Sequence, residues 1–391
     1  MSFPAAPAFS PEVQAWRHTL HAYPEVGFEE TRTAGFVAAQ LRRFGLDEVV
    51  EGVGGTGVVG TLRRGHGPRT VALRADMDAL RLSEQGPHAY RSQRPGLMHA
   101  CGHDGHTSML LGAAQHLAAT GGFDGTVRFV FQPAEEWGRG AQAMLADGLL
   151  TRFPYDEIYG LHNWPGLPVG QLATRPGPLM AAEDLFDITL RGVGGHASRP
   201  QAGREVMVAA SALVLSLQTI VARRLDPVDI AVVSVTELLT DGTRNVLPSQ
   251  AVLRGDARSF RPEVSAAIEA EMRRLAAGTA QAYDCEAEVN YTREFVPVVN
   301  APAPTARALQ AAAQVFGPAG TDAECAPVTV AEDFARLLRH TPGNFAFLGN
   351  GADSWPLHHP RYDFNDAALP YGVAYWVALV QTVLPIAEPI A

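Results

Sequence analysis

The sequence has few cysteines, few charged residues and no long apolar run, and each absence excludes a class of protein. Three cysteines, an odd and widely spaced set, cannot form the disulfide framework of a small secreted domain. Charged residues make up 18% of the chain, without the basic cluster that binds nucleic acid. The longest apolar stretch, 206–217, contains two serines and is too short to span a bilayer.

The remaining bulk properties predict a soluble, reduced, cytoplasmic protein. With 391 residues the chain exceeds what one hydrophobic core usually organises, so two domains are expected. The net charge of −10 disfavours anionic membranes as partners. The first residues contain neither the basic nor the apolar segment of a signal peptide. We therefore expect no nucleic-acid partner and no membrane partner.

Strands alternate with helices in the first part of the chain, which predicts an α/β sheet. A helix is expected after Asp104, where apolar residues recur at helical spacing. The predicted strands are 70–74, 126–131 and 157–161. Polar residues follow the predicted strands, at the edge where α/β folds place their sites.

A different pattern begins near Ala181. Strands and helices then follow one another as β-α-β-β-α-β, which is the order of a ferredoxin-like domain. The first helix of this insert is predicted over 203–223. We place the insert at 181–294 and expect 1–180 and 295–391 to form the other domain.

The most informative segment is 98–106, Met-His-Ala-Cys-Gly-His-Asp-Gly-His, which holds three of the thirteen histidines and one of the three cysteines. Thiolate, imidazole and carboxylate side chains bind metals such as Zn²⁺ and Mn²⁺. In an extended segment, Cys101 and His103 would project to the same side and reach one metal cluster. We therefore predict a metal or catalytic site here rather than a surface loop.

Several further residues could complete this site. Asp76 and Asp78 follow one predicted strand, although either could instead cap a helix. Glu135 and Glu136 follow another strand; one could bind metal while the other acts as a general base, unless the pair is a solvated turn. Lone histidines are weaker candidates, because most are structural. Three such histidines are His162, His196 and His358.

These motifs together resemble those of the dinuclear-metal amidohydrolases, which include hippurate hydrolases, N-acyl-amino-acid amidohydrolases and auxin-conjugate hydrolases of the aminoacylase and carboxypeptidase group. The His-Ala-Cys-Gly-His-Asp and Gln-Pro-Ala-Glu-Glu motifs are specific, and further segments extend the resemblance over nearly the whole chain. The matching segments are 21–25, 75–80, 98–106, 132–136, 160–162, 194–198, 245–248, 331–334 and 357–360.

The resemblance implies a zinc-exopeptidase-like catalytic domain, with a mixed sheet flanked by helices, and an inserted ferredoxin-like α+β domain that acts as lid and dimerisation domain. It implies two divalent metal ions per subunit, Zn or Mn, with Co or Ni as alternatives. Glu135 is then the general base, and Asp78 orients a ligand without binding the metal. The implied metal ligands are Cys101, His103, Glu136, His162 and His358.

The implied reaction is hydrolysis of the amide bond of N-acyl-amino acids, hippurate-like or N-acetylated, to a carboxylic acid and an amino acid. A metal-activated water would attack the carbonyl, and Glu135 would carry the water's proton to the leaving amine. His196 of a partner subunit would stabilise the tetrahedral intermediate. Asn245 would contact the substrate. The implied assembly is a homodimer or a higher homo-oligomer.

Three alternatives stay open on the residues alone. The chain could be a dipeptidase or carboxypeptidase that uses the same metals. It could be a nucleophilic amidase in which Cys101 attacks the substrate, or a binding protein without activity. Arg81, Trp137 and Arg244 depart from the family pattern. Trp137 and Arg244 are expected to alter substrate preference without removing a ligand.

Overall fold

The structure is a computed structural model that describes residues 11–386. The chain separates into two compact units. The larger unit comprises Met1–Leu179, Val299–Ala326 and Asp333–Ala391, and the smaller unit comprises Met180–Val298 and Pro327–Glu332.

The larger unit is built on an eight-stranded sheet. Its strands, in their order across the sheet, are β1 (Glu48–Val53), β2 (Gly57–Arg64), β4 (Gly125–Gln132), β3 (Thr70–Asp76), β5 (Glu157–Pro165), β16 (Gly343–Gly351), β6 (Leu172–Ala173) and β15 (Thr321–Asp322). The pairs β4–β3, β3–β5 and β5–β16 are parallel, whereas β1–β2 and β2–β4 are antiparallel. The predicted mixed sheet of an α/β fold is therefore confirmed.

Helices flank this sheet and close the core of the larger unit. They are α1 (Glu12–Ala22), α2 (Thr31–Arg43), α3 (His103–Thr120), α4 (Gly140–Ala146), α5 (Leu149–Arg152), α9 (Pro302–Phe316), α10 (Ala335–Leu338) and α11 (Leu369–Val383). Among residues 11–386, no helix combines the length and the apolar character needed to cross a membrane.

The central parallel strands bring three sequence motifs to one edge of the sheet. These strands are largely apolar, as expected for strands covered on both faces, and β3 is buried from Val71 to Asp76. In the register, Arg74 pairs with Gly160 and Asp76 pairs with Gln132. The residues that follow Gln132, and the last residues of β5, therefore lie level with the end of β3.

The smaller unit contains a four-stranded antiparallel sheet with the order β10 (Ala231–Thr240), β12 (Gln250–Ser259), β8 (Ala182–Arg191) and β13 (Glu286–Phe295). Its helices are α6 (Val206–Leu217), α7 (Thr219–Arg223) and α8 (Pro262–Ala282). Alternate residues of β8 are buried, because one face of the sheet packs against these helices. Short strands β9 (Gly195–His196) and β11 (Val246–Leu247) pair beside the sheet. Two connecting strands are β7 (Gly177–Met180) and β14 (Val298–Asn300).

The helix predicted over 203–223 is wrong at its start and interrupted near its end. Arg204 exchanges backbone hydrogen bonds with Val193, at 2.9 and 3.2 Å, so its amide and carbonyl are used outside a helix. The helix α6 therefore begins only at Val206, and a break at Gln218 separates it from α7. Apolar periodicity does not register a long-range backbone pair of this kind.

Candidate metal centre and active site

The segment 98–106 is buried throughout and leads into α3, which begins at His103. Gly102 has left-handed backbone angles, φ 90° and ψ 18°. The expectation that Cys101 and His103 lie in an extended segment is therefore wrong. A tight turn places both beside His162 instead, and the candidate ligand atoms of these three residues lie within 4.8 Å of one another.

Cys101, His103 and His162 form a first group of candidate ligands. Sγ of Cys101 is 3.4 Å from Nε2 of His162. Nδ1 of His162 donates to the carbonyl oxygen of Asn163 at 2.7 Å, which leaves Nε2 as the atom available to a metal. Burial, with nearby His106, lowers the pKa of His162 well below its usual value. His162 is therefore neutral, as a metal ligand must be.

Glu136 and His358 form a second group with Cys101. Oε2 of Glu136 is 3.4 Å from Nε2 of His358. His358 has a φ of 63°, which is rare for a residue other than glycine, and its backbone N–H donates to the carbonyl of Ala100 at 2.8 Å. Because Cys101 belongs to both groups, the two groups form one continuous site.

Asp78 connects a residue of each group. Its Oδ1 is 3.2 Å from Nδ1 of His103, and its Oδ2 accepts the backbone N–H of Glu136 at 3.1 Å. The first contact makes Nδ1 of His103 the donor, so that Nε2 carries the free lone pair. Asp78 is 1% exposed, so water does not compete for these two contacts.

The charges of the site fit a bound cation. Nε2 of His103 and Oε1 of Glu136 are buried and have no hydrogen-bond partner among the described residues, which is costly unless something binds them. Although burial opposes it, the carboxylates of Asp76 and Asp78 raise the pKa of His103 to about 10. The surroundings therefore stabilise positive charge at this point. A divalent cation would supply that charge and bind both atoms.

Glu135 lies beside these ligands. It is buried, and one of its carboxylate oxygens lies within 4.8 Å of the ligand atoms of His103 and Glu136. Oε1 of Glu135 also accepts the backbone N–H of Asp333 at 3.3 Å. A buried carboxylate at this distance can take a proton from a water held by the same site.

The structure adds His106, whose role the sequence did not reveal. Nδ1 of His106 donates to Asp76 at 2.6 Å, and Nε2 accepts the backbone N–H of Asn163 at 2.9 Å. Both ring nitrogens are occupied, so His106 supports the site without binding metal. It holds Asn163, whose carbonyl in turn orients His162. The three-residue spacing from His103 on one helix was the signal in the sequence.

A buried ion-pair network behind the first turn of α3 was also missed. Arg17 is fully buried and lies 3.3 Å from Asp104 and 3.0 Å from Asp363. Nδ1 of His21 is 2.9 Å from Asp104. Burial lowers the pKa of His21, but Asp104 outweighs it and raises the pKa to about 9. His21 is therefore protonated at neutral pH, and its ion pair with Asp104 helps to fix the first turn of α3, where His103 lies.

His196 and Asn245 lie together in the smaller unit. The strand pair β9–β11 joins their segments, and the N–H of Ala197 donates to the carbonyl of Asn245 at 3.1 Å. His196 is exposed, and its Nδ1 accepts the backbone N–H of Ser198 at 3.1 Å. The proton of the neutral ring is consequently on Nε2, which can act as a hydrogen-bond donor.

Candidate thiolate, imidazole and carboxylate ligands at the carboxyl ends of parallel strands, next to a second buried carboxylate, are the arrangement typical of a metal-dependent hydrolase. The profile of peptidase family M20/M25/M40 matches residues 72–382, and the chain belongs to this family. The resemblance drawn from the motifs is therefore confirmed, together with the amidohydrolase class.

Relatives cover nearly the whole chain. A hippurate hydrolase of Campylobacter jejuni is 38% identical over 368 residues, which are 94% of this chain and 95% of the relative. An N-acetylcysteine deacetylase of Bacillus subtilis is 37% identical over 384 residues, 96% of this chain and 98% of the relative. The crystal structure of the Bacillus subtilis YXEP protein, a dinuclear metal binding peptidase of the M20 family, superposes with a TM-score of 0.83 at 33% identity, covering 95% of this chain and 97% of that one.

We predict that Gly102→Ala lowers metal affinity about 10- to 100-fold, the range for disturbed support of a ligand. A Cβ at Gly102 would lie 2.3 Å from Nδ2 of Asn163 and 2.5 Å from the hydroxyl of Tyr362. Asn163 would have to move, and its carbonyl orients His162. Metal content after dialysis, measured by mass spectrometry, reports the loss.

Gly121→Ala is the matched control for this variant. Gly121 follows the other end of α3 and has a φ of 64°, but a Cβ there meets no atom within 4 Å. The positive φ disfavours alanine at either position, but at Gly121 the added Cβ meets no neighbouring atom, so this variant should keep the wild-type metal content. Equal metal content in both variants would show that the contacts of Gly102 do not shape the site.

Proposed function

We propose that this protein hydrolyses the amide bond of N-acyl-amino acids, releasing a carboxylic acid and an amino acid. One observation supports this most: Glu135, a buried carboxylate, lies beside His103 and Glu136, two of the five candidate metal ligands that adjoin one another in the larger unit. The hippurate hydrolase and N-acetylcysteine deacetylase relatives, similar over nearly the whole chain, favour N-acyl-amino acids as the substrate class.

Two divalent cations per subunit, Zn or Mn with Co or Ni as alternatives, are the proposed cofactors. Cys101, His103 and His162 would hold one cation, and Glu136, His358 and Cys101 would hold the other. A thiolate with two imidazoles suits Zn²⁺, whereas the carboxylate of Glu136 also suits harder cations such as Mn²⁺. Bound there, the cations would polarise the amide carbonyl and lower the pKa of a water.

Side chains of the protein would then transfer the proton from the attacking water to the leaving nitrogen. Glu135 would accept the proton of the attacking water and deliver it to the leaving nitrogen. The chain has no lysine, and arginine remains protonated at neutral pH, so neither residue type can replace Glu135 in this transfer. Asp78 would keep His103 oriented while the charge of the site changes.

We further propose that His196 acts on the substrate from a partner subunit and that Asn245 contacts the substrate. His196 belongs to the smaller unit, whereas the five proposed ligands belong to the larger one. Its Nε2–H could donate to the oxyanion that forms at the carbonyl. The smaller unit, which contains the predicted insert 181–294, would thus serve as lid and dimerisation domain, and the larger unit as catalytic domain.

Exposed apolar groups on the smaller unit support a homodimer. Strand β10 lies at the edge of its sheet, and an uncovered edge strand is a ready pairing surface. Two such edges related by a two-fold axis could pair and cover neighbouring apolar groups of α6. The exposed apolar residues of α6 and β10 are Met207, Val208, Leu215, Leu238 and Leu239. A cytoplasmic location is proposed from the three free cysteines.

A substrate panel tests the proposed reaction. The wild-type protein, loaded in turn with Mn²⁺, Zn²⁺, Co²⁺ and Ni²⁺, should hydrolyse N-benzoyl- and N-acetyl-amino acids with higher kcat/KM than dipeptides. Chelation should abolish turnover and metal should restore it. Preference for dipeptides would favour the peptidase alternative, and activity of metal-free protein would favour Cys101 as a nucleophile. No turnover with any metal would indicate a binding protein.

Glu135→Gln and Glu136→Gln should fail in different ways. The first variant removes a proton acceptor, so we expect it to keep its metals and to lose about 10²- to 10⁴-fold in kcat. The second removes a charged ligand that adjoins His103 and His358, so we expect metal loss first. Metal content and kcat measured on the same preparations separate the roles. Wild-type kcat in fully loaded Glu135→Gln would exclude Glu135 as the base.

Mixing two inactive variants tests the role of His196 in a partner subunit. His196→Ala should retain metal and lose kcat by roughly 10²- to 10³-fold, as for removal of an oxyanion donor. A mixed dimer of His196→Ala and Glu135→Gln subunits contains one site with both groups intact, so activity should return. Absence of activity after subunit exchange, verified by native mass spectrometry, would place the action of His196 within its own chain.

A further inference from the structure

The two adjacent glutamates stand on a turn that begins with a strained residue. Ala134 has a φ of 47°, in the left-handed region that residues other than glycine, asparagine and aspartate seldom adopt. Strand β4 ends at Gln132, just before this turn. Such a conformation persists only where surrounding contacts hold it. The contacts of Ala134 therefore determine where Glu135 and Glu136 point.

Glu30 provides such a contact. One carboxylate oxygen, Oε1, accepts the backbone N–H of Ala134 at 2.8 Å, and Oε2 accepts the hydroxyl of Thr56 at 2.6 Å. Glu30 is fully buried at the start of α2, so its carboxylate is not exchanging these donors for water. With a donor on each oxygen, the carboxylate is held in place and in turn holds the amide of Ala134.

The loop that carries Glu30 also packs against the same turn. A Cβ added at Gly27 would lie 2.8 Å from Cβ of Ala134, so the loop backbone approaches the turn closely. The neighbouring acids have different contacts. Glu25 accepts the backbone N–H of Thr33 at 2.8 Å, and exposed Glu29 lies 3.6 Å from Arg81. The contact of Glu30 with the turn is thus a property of its position.

We propose that Glu30 is a positioning residue for hydrolysis: by holding Ala134 in its left-handed conformation, it directs Glu135 and Glu136 into the site. The inference rests on the proposed function, since it takes these two residues as proton acceptor and metal ligand. Glu30 itself need not touch substrate or metal. Displacing a reacting group by about 1 Å can cost about 100-fold in rate, so a fixed turn matters.

Three single variants test this role. Glu30→Ala should lower kcat about 10- to 100-fold and leave KM largely unchanged, because it removes the tie on the turn and no substrate contact. Glu30→Gln keeps an oxygen for the N–H of Ala134 and an amide for Thr56, and should retain most of the activity. Glu29→Gln, the exposed neighbour, should behave as wild type in kcat.

A double variant separates positioning from general stability. Glycine adopts positive φ without strain, so Ala134→Gly removes the conformational cost that Glu30 offsets. Adding Ala134→Gly to Glu30→Ala should regain much of the lost kcat, with Ala134→Gly alone as the reference. Loss of a buried carboxylate as a mere stability defect would lower the melting temperature, and glycine at 134 would not repair the rate.

Metal affinity provides a readout that does not need turnover, because Glu136 stands on the same turn. Titration with Mn²⁺ should show weaker binding in Glu30→Ala and partial recovery in the double variant. Wild-type kcat and wild-type Mn²⁺ affinity in Glu30→Ala would overturn the proposal, as would folded Glu30→Ala whose losses the double variant does not repair. If the wild type hydrolyses no N-acyl-amino acid, the proposed substrate is wrong, and the Mn²⁺ titrations still decide the role of Glu30.

Discussion

The carboxylate of Asp78 joins two strand ends, and the geometry of the metal site depends on that link. One oxygen orients His103, and the other holds the backbone N–H of Glu136. The two residues belong to segments that follow different strands, so no local structure keeps them in register. The buried carboxylate of Asp78, with a hydrogen-bond donor on each oxygen, holds the two residues relative to each other and leaves them little room to move. The parallel sheet brings the ends together, and Asp78 sets their distance.

This arrangement gathers negative charge in a buried place, which only compensating positive charge makes stable. On one side the compensation is built into the fold, where Arg17 and protonated His21 flank Asp104. Near the candidate ligands, the compensating positive charge has to come from His103 or from a bound cation. The raised pKa of His103 reflects this need for positive charge. The same electrostatics thus explain a rigid support behind α3 and an affinity for cations in front of it.

Much of the site was predictable from the sequence, because ligand-type residues at strand ends are a local pattern. The predicted strands 70–74, 126–131 and 157–161 all occur, and each is longer in the structure than predicted. The Cys101–His103 motif lies among the other proposed ligands. The sequence did not predict the backbone conformation of the site or the residues that hold its ligands in place. The turn at Gly102 depends on space beside Asn163, and the contact of Glu30 with Ala134 joins residues far apart in the chain. Periodicity and motif spacing contain no record of such tertiary contacts.

Three residues of the larger unit with positive φ lie where chemistry is proposed, and two of them, Ala134 and His358, are strained. Gly102, Ala134 and His358 all have positive φ, and each lies at or next to a proposed ligand or base. Each is held by a residue outside its own segment. Gly102 packs against Asn163, and the backbone N–H of Ala134 donates to Glu30. The backbone N–H of His358 donates to the carbonyl of Ala100. Unfavourable backbone angles at Ala134 and His358, in two separate segments, would not persist together unless the surrounding buried structure overdetermined them. The large core of this unit therefore does more than keep the chain folded. It holds the proposed ligands and base in backbone conformations that a loop without these contacts would not keep.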